Sequence, residues 1–243
     1  MDIRLPAATD IYLTGGKTHP SEIRLARFLI RHLKQGDHFL DIGAHYGYFS
    51  LLARQLVGEQ GTVFAFEASP TTFSLLHKNV ATHQNITVLN IAIADKTEEI
   101  SFFEFPSLYS EYNSMELEQF KQEAWFQKYP PKKVTVPAVD LSSFLRKNKY
   151  HPSLIKIDVE GAEFKVIQGA EKYLAQNKPS LILEYLSPQR DNTTHQQAVN
   201  LLVQLGFNPF IINQEGTLER VADLDRYLRK KKLDSDNIVF QKD

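Results

Sequence analysis

A glycine-bracketed turn constrains this chain more than any other stretch. The segment Asp41-Ile-Gly-Ala-His-Tyr-Gly47 follows a short apolar run at 39–42, which is typical of a buried strand. Residues 48–54 then resume with the spacing of a helix. A strand, a glycine turn and a helix start together form a ligand site, because the backbone can approach a ligand where no Cβ intervenes and the first N–H groups of a helix lack partners. Asp41 ends the strand and places an acceptor beside this crevice.

An acid at the end of the next strand supports a ribose-containing ligand. The predicted strand 61–67 ends in Glu67, twenty residues after Gly47. A carboxylate there can accept hydrogen bonds from both ribose hydroxyls. A dinucleotide would need glycine at the position of His45, because the backbone must approach its pyrophosphate. Histidine tolerates a positive φ, so the turn can still form, but it loses the place where a pyrophosphate would bind. The pattern favours a ligand without a pyrophosphate.

A third segment, Lys156-Ile-Asp-Val-Glu-Gly-Ala-Glu163, carries charge inside a predicted central strand. Strand alternation puts Lys156 and Asp158 on one face. Buried charges are costly unless they are paired or used. The two residues could be an ion pair that closes the sheet face, but their place at the carboxyl end beside a glycine favours a site. Glu184, in the neighbouring predicted strand, poses the same problem and has the same explanation.

Strand and helix patterns alternate along most of the chain, which predicts one α/β domain with a parallel sheet and right-handed crossovers. The final two strands are expected to form an antiparallel pair at one edge. The predicted helices are 21–34, 48–56, 70–82, 141–147, 162–176 and 194–205. The predicted strands are 39–42, 61–67, 86–93, 99–105, 133–136, 153–159, 180–186, 208–212 and 237–241.

An aromatic stretch interrupts this alternation over residues 106–133. It holds the only tryptophan, Trp125, within a set of aromatic residues that also comprises Tyr109, Tyr112, Phe120, Phe126 and Tyr129. An irregular stretch of this length inside an α/β domain is usually a functional cap or a mobile segment. The alternative is a lid that packs its aromatic side chains on the core. Both interpretations stay open, and they are compatible with each other.

Charge and composition exclude several function classes. The net charge of −1 gives no electrostatic footprint of a nucleic-acid binder. The absence of cysteine excludes disulfides, thiolate nucleophiles and thiolate-held metal clusters. The sequence has no apolar run of transmembrane length. We therefore expect a soluble, cytoplasmic protein that has no nucleic-acid partner.

Three motifs resemble the FkbM family of S-adenosylmethionine-dependent methyltransferases. They are 41–47, 64–70 and, most specifically, 155–163, within a match that runs from about 37 to 185. The resemblance implies a single-domain, Rossmann-like class I methyltransferase sandwich, whose seven-stranded, mostly parallel sheet has an antiparallel last strand. We expect the cofactor-binding domain over 37–243, with an aromatic insertion around 104–133. Residues 1–36 are expected to form an N-terminal segment and a helix that pack on this core.

The same resemblance implies roles for individual residues. In the family the first motif surrounds the methionine part of the cofactor, the acid matching Glu67 holds the ribose, and residues near Ala92 border the adenine. The family usually has asparagine at the position of His45. The expected cofactor-binding residues are Asp41, Gly43, Ala44, His45, Gly47, Glu67, Ala68, Ala92 and Asp158.

The expected reaction is O-methylation of a sugar, glycolipid or polyketide-type small molecule. No histidine lies inside the third motif, which leaves carboxylates as the natural bases. Asp158 and Glu160 are the first candidates and Glu184 the next, while Lys156 would keep these acids ionised by its charge. In a less favoured version Asp158, Glu160 or Glu184 holds Mg²⁺, which would acidify a bound hydroxyl. The alternatives are a nicotinamide-dependent oxidoreductase, which His45 disfavours, and a non-catalytic protein that keeps the cofactor fold for binding.

Overall fold

A central eight-stranded sheet organises the molecule. The computed structural model describes residues 1–6, 8–121, 123–190 and 192–242. The helices are α1 (Thr9–Thr14), α2 (Pro20–His32), α3 (Tyr48–Val57), α4 (Pro70–Val80), α5 (Leu141–Asn148), α6 (Glu163–Gln176), α7 (Thr193–Gln204) and α8 (Leu224–Lys231). The strands are β1 (His38–Ile42), β2 (Thr62–Phe66), β3 (Ile86–Leu89), β4 (Ala92–Ala94), β5 (Glu98–Glu104), β6 (Lys132–Asp140), β7 (Leu154–Ile157), β8 (Ser180–Leu186), β9 (Asn208–Ile212), β10 (Leu218–Arg220) and β11 (Ser235–Gln241).

The strand order of the main sheet is β10-β9-β11-β8-β7-β1-β2-β3. Strands β3, β2, β1, β7 and β8 run parallel, whereas β11 is antiparallel to both β8 and β9. The class I methyltransferase architecture, mostly parallel with an antiparallel last strand, is confirmed. Because β1 and β7 are neighbours near the middle of this sheet, the first and third motifs end side by side.

Helices cover both faces of the sheet, as a parallel sheet requires. Helices α2, α3 and α4 pack on one face, where Phe39 of β1 and Leu154 of β7 point. Helices α5, α6, α7 and α8 pack on the other face, against Leu40 and Ile155. This alternation leaves Lys156 on the α3 side of β7, so the predicted orientation of the third motif is confirmed. Among the described residues, the structure contains no helix that is both long and apolar enough to cross a bilayer.

The single strand predicted over 86–93 is wrong. The chain forms β3 in the main sheet and then β4, which joins β6 and β5 in a separate three-stranded sheet. The side-chain amide of Asn90 donates to the backbone carbonyls of Glu67 and Ala68, at 2.9 and 3.1 Å. These bonds hold the chain at the end of β2 and redirect it before β4 begins. Apolar residues on both sides of Asn90 concealed this break.

The prediction for the end of the chain is partly wrong. The last two predicted strands, β9 and β11, do pair antiparallel, but β11 lies between β8 and β9 rather than at the edge. The edge strand is β10, which brings the main sheet to eight strands instead of seven. Strand β10 has only three residues, too few for a periodic pattern. Helix α8 was also missed, although Asp223 caps it by accepting the Arg226 N–H at 2.8 Å.

The aromatic stretch packs largely on itself. The Trp125 ring lies parallel to Tyr109 at 4.3 Å and to Tyr112 at 5.2 Å between centroids. Phe105 makes edge contacts with Phe120 and Trp125, and Phe120 is fully buried. The segment therefore does pack its aromatic side chains, but against one another rather than on the two cores that cover the sheet. Tyr112 nevertheless reaches the main cavity of the protein.

Gly169 allows α6 to approach β4, and we expect Gly169→Ala to destabilise the fold. A Cβ on Gly169 would lie 2.0 Å from the Ala94 carbonyl oxygen. Alanine ordinarily stabilises a helix interior by about 1 kcal/mol relative to glycine. At this position we expect the opposite effect on the free energy of unfolding. Overpacking against backbone should cost about 1–3 kcal/mol in the free energy of unfolding, measured by chemical denaturation. The exposed neighbour Gln168→Ala is the matched control, and a stabilised Gly169→Ala variant would contradict the prediction.

Candidate active site

One cavity of about 550 Å³ brings the three sequence motifs together. It opens where β1, β2, β7 and β8 end, the usual ligand position in a doubly wound sheet. Its volume is within the range of sites for drug-sized ligands, about 300–1,000 Å³. The sequence-predicted residues that line it are Gly43, Ala44, His45, Glu67, Ala68, Ala92, Lys156, Asp158, Glu160 and Glu184. Asp41 and Gly47 are the two predicted residues outside this described lining.

The first motif is braced on the end of β2. The Gly43 and Ala44 N–H groups both donate to the Phe66 carbonyl, at 3.0 and 2.9 Å. His45 adopts φ 51°, so the turn forms without glycine at this position, as predicted. A Cβ on Gly43 would lie 1.8 Å from the Asp158 carbonyl oxygen. Gly43 is therefore required because the end of β7 comes this close to the turn.

Glu67 ties the first motif to the second. It is buried, and its two carboxylate oxygens accept the backbone N–H groups of His45 and Ser69, each at 2.9 Å. Burial raises the pKa of Glu67 to about 7, although these two donors oppose the shift. Each carboxylate oxygen can accept a second hydrogen bond. The acid thus lines the cavity with acceptor capacity left for hydroxyl donors.

Lys156 links β1 to the third motif through two carboxylates. Its ammonium lies 3.5 Å from Asp41 and 3.0 Å from Asp158, and the Asp41 side chain is only 1% exposed. Ser50 donates a 2.6 Å hydrogen bond to Asp41. Burial alone would lower the pKa of Lys156, but the carboxylates of Asp158 and Asp41 outweigh it and raise the pKa. Both interpretations of Lys156 and Asp158 therefore fit, since Lys156 is buried in its ion pairs and the more exposed Asp158 borders the cavity.

Asp41 lies behind the cavity rather than in its described lining. Its carboxylate is engaged by Ser50 and Lys156, on the α3 side of the sheet. The register of β1 and β7 places Asp41 directly beside Lys156. Its assignment to the cofactor stays a prediction, whereas its contact with Lys156 is a feature of the structure.

Three carboxylates converge on one side of the cavity. One carboxylate oxygen from each of Asp158, Glu160 and Glu184 lies within 4.8 Å of the other two. Burial first, and the neighbouring carboxylates second, raise the pKa values of Glu160 and Glu184. Because burial and shared negative charge favour the protonated form, an ionised carboxylate of this cluster takes up a proton more readily than an ordinary one, which suits a general base. The same oxygen set also has the donor chemistry that a divalent cation accepts.

The loop that carries Asp158 and Glu160 is tethered at several points. Glu160 adopts φ 53°, and its carbonyl accepts a 2.6 Å hydrogen bond from the Ser114 hydroxyl. The Val159 N–H donates to Glu163 at 3.2 Å. The other carboxylate oxygen of Glu163 lies 3.2 Å from Nε2 of the buried His195. Left-handed backbone is costly outside glycine, so these contacts hold Glu160 in a geometry it would not adopt alone.

The sequence did not reveal several residues of the site. Ser114 and His195 act through tertiary contacts that leave no local pattern, and the segment before α2 carries weak patterning. That segment nonetheless lines the cavity through Asp10 and Lys17, and Glu22 of α2 joins them. Only the charged character of these side chains could have singled them out.

The family comparison matches the geometry. A family model described as the methyltransferase FkbM domain matches residues 41–209. Methyltransferase 1 of Beauveria bassiana (strain ARSEF 2860) is 28% identical over 184 residues, which cover 70% of this chain and 72% of that protein.

Solved structures show the same fold. The FkbM methyltransferase of Methylobacillus flagellatus KT aligns with a TM-score of 0.52 and 15% identity over 84% of this chain, but over only 43% of that protein. An O-methyltransferase of Bacillus cereus, solved with S-adenosylhomocysteine, aligns with a TM-score of 0.51 and 13% identity over 97% of this chain and 86% of that protein. At these identities the likeness concerns the fold.

We expect Lys156→Met to lower the free energy of unfolding by about 3–5 kcal/mol, because it strands the buried Asp41 charge. Adding Asp41→Asn to this variant should recover at least half of the loss. Adding Asp158→Asn should recover little, since Asp158 is 36% exposed and water can solvate it. Urea denaturation of the three variants measures these differences. Equal recovery by the two second substitutions would contradict the central role of Asp41.

Proposed function

The chain belongs to the FkbM methyltransferase family, and on that basis we propose that it transfers the methyl group of S-adenosylmethionine to a hydroxyl of a small molecule. The acceptor class is a sugar, a glycolipid or a polyketide-type compound. The observation that carries the proposal is the convergence of Asp158, Glu160 and Glu184 on the cavity wall. A carboxylate cluster at the site of transfer can take the proton that an acceptor hydroxyl must lose.

The cavity has the residues that this cofactor requires. Glu67 offers acceptors to the ribose hydroxyls, the turn 43–47 surrounds the methionine part, and Ala92 borders the adenine. The acidic walls favour a cationic sulfonium over a neutral or anionic ligand. The Bacillus cereus neighbour, which shares the fold, was solved with the demethylated form of this cofactor. These features support S-adenosylmethionine as the methyl donor.

Glu160 and Glu184 act as the base. Lys156 directs its ion pairs to Asp41 and Asp158, so the Asp158 carboxylate is already engaged by an ammonium. Glu160 and Glu184 have raised pKa values, and their carboxylates adjoin Asp158 in the cavity. The cofactor supplies an already activated methyl group on a sulfonium. The protein therefore positions the acceptor oxygen and moves its proton to the Glu160–Glu184 pair, while Asp158 orients the hydroxyl.

The two alternative functions receive less support. Family membership favours methyl transfer over hydride transfer to a nicotinamide. A non-catalytic role would leave the Lys156, Asp158 and Glu160 arrangement without a purpose. Burying those charges costs free energy, which indicates that the chain uses them. The mechanism proposed here uses no metal ion.

Removing the base should abolish turnover and spare cofactor binding. We expect the double variant Glu160→Gln/Glu184→Gln to lose about 10²–10⁴-fold in kcat, the usual contribution of general-base catalysis. Its affinity for S-adenosylhomocysteine should stay within about threefold of wild type. That change is smaller than the tenfold change in affinity to which about 1.4 kcal/mol of binding free energy corresponds. Exposed Glu171→Gln on α6 is the control. Acceptors are found by incubating the protein with a labelled methyl donor and a cell extract, followed by mass spectrometry.

Three outcomes would contradict the proposed reaction. Undiminished turnover by the double variant would exclude the carboxylate pair as the base. Turnover that EDTA abolishes and Mg²⁺ restores would show that the three carboxylates hold a metal ion instead. Labelled product on nitrogen or carbon would contradict O-methylation.

Cofactor affinity should depend on pH through Glu67. The free acid titrates at a pKa of about 7, and ribose hydroxyls donate best to its ionised form. Affinity for S-adenosylhomocysteine should therefore be full above pH 7 and fall by up to tenfold per pH unit below it. Calorimetry across this range measures the slope. Glu67→Gln should bind more weakly at pH 8 and show a flatter profile, so the same slope in both proteins would sink the ribose assignment.

A further inference from the structure

We propose that Lys17, which precedes the family-matched region, binds the carboxylate of the methionine part of S-adenosylmethionine. The inference rests on the proposed function, because it concerns how this chain holds that cofactor. It assigns a binding role to the segment before α2, a part of the chain for which the motifs predict no function.

The charges around the cavity limit which residue can accept an anionic group. The acids that line it are Asp10, Glu22, Glu67, Glu111, Asp158, Glu160 and Glu184. Its described lining contains two lysines, Lys17 and Lys156, and no arginine. A carboxylate that enters such a cavity is strongly disfavoured unless it meets a cation. Of these two lysines, Lys156 faces two carboxylates, those of Asp41 and Asp158, whereas Lys17 faces Glu22 alone among its ion pairs, so Lys17 has the greater capacity for a further anion.

Lys17 lies on the correct side of the cavity for this role. A Cβ on Gly16 would be 3.4 Å from the Tyr48 hydroxyl, so the chain just before Lys17 runs against the first residue of α3. The turn 43–47 directly precedes that helix and surrounds the methionine part in the proposed complex. Lys17 and His45 line the same cavity, and burial, together with the charge of Lys17, lowers the pKa of His45 to about 3.

The segment that carries Lys17 is fixed over the turn at two places. Near its start, the Asn79 side chain of α4 donates to the Asp2 carbonyl at 2.8 Å and to the Tyr46 carbonyl at 2.9 Å. Near its end, Glu22 of α2 contacts the Lys17 ammonium at 2.8 Å. The segment thus spans the cavity from α4 to α2. We call residues 1–6 and 8–19 the N-terminal strap.

Glu22 keeps the Lys17 ammonium charged and leaves it able to bind a second carboxylate. Burial lowers the pKa of Lys17, but Glu22 and Asp10 outweigh this and the net shift is upward. An ammonium has three N–H donors, so it can keep Glu22 and accept a second carboxylate. The Lys17 and Glu22 side chains are 22% and 25% exposed, which leaves the pair accessible from the cavity.

The competing possibility is that backbone N–H groups at the start of α3 bind the carboxylate. Helix starts are common anion sites, and such binding would not depend on Lys17. A pair of ligands that differ only in the carboxylate separates the two possibilities. S-adenosylhomocysteine and its decarboxylated analogue form such a pair.

The test compares the two ligands in wild type, Lys17→Gln and Lys17→Arg by calorimetry, with weak binding measured by displacement. We expect Lys17→Gln to reduce the preference for S-adenosylhomocysteine over its decarboxylated analogue at least tenfold. Lys17→Arg should restore most of that preference. Lys96→Gln, an exposed lysine whose ammonium lies 3.9 Å from Asp95, is the matched control.

The outcomes separate this inference from the proposed function. If Lys17→Gln leaves the ratio of the two affinities unchanged, the backbone at α3 holds the carboxylate and the inference is wrong. A Lys17→Gln variant that weakens both ligands equally also overturns it, because the residue then acts only on the shape of the cavity. A wild-type protein that binds neither ligand contradicts the proposed cofactor itself.

Discussion

The contact between the end of β1 and the end of β7 is the constraint on which the site depends. Lys156 is buried between Asp41 and Asp158, one from each strand motif, and its charge is balanced only while the two strands stay in register. Gly43 allows the same approach in the backbone, since any side chain there would meet the Asp158 carbonyl. An electrostatic and a steric requirement therefore fix the same pair of strand ends.

Two residues with left-handed backbone follow these neighbouring strands. His45 comes after β1 and Glu160 after β7, with φ values of 51° and 53°. Each is held by a bond from outside its own turn: the His45 N–H donates to Glu67, and the Glu160 carbonyl accepts from Ser114. The two turns can thus present a ligand-facing side chain where glycine would present none. The cost of the backbone geometry is offset by contacts with the second motif and the insertion.

The sequence predicted what local patterns encode. Buried strands, helix periodicity and charges at strand ends located the three motifs, and the structure places them around one cavity. The patterns failed where one polar residue or a tertiary contact decides the path. Asn90 redirects the chain between β3 and β4, within a run that is otherwise apolar. Lys17 reaches the cavity because the strap crosses it, and no periodicity in a short irregular segment can encode that path.

The aromatic insertion packs largely on itself, so it contributes to the cavity wall through its own cluster of side chains. Phe105, Phe120 and Trp125 pack against one another inside the segment. They are separate from the two hydrophobic cores that cover the sheet. Tyr112 and Glu111 border the cavity from this segment, whose Ser114 also holds the backbone of Glu160. Substitutions at such positions leave the strand ends and their buried ion pairs untouched. The cavity wall at Tyr112 and Glu111 can consequently change between descendants of this chain while the ion pairs at the strand ends are inherited unchanged.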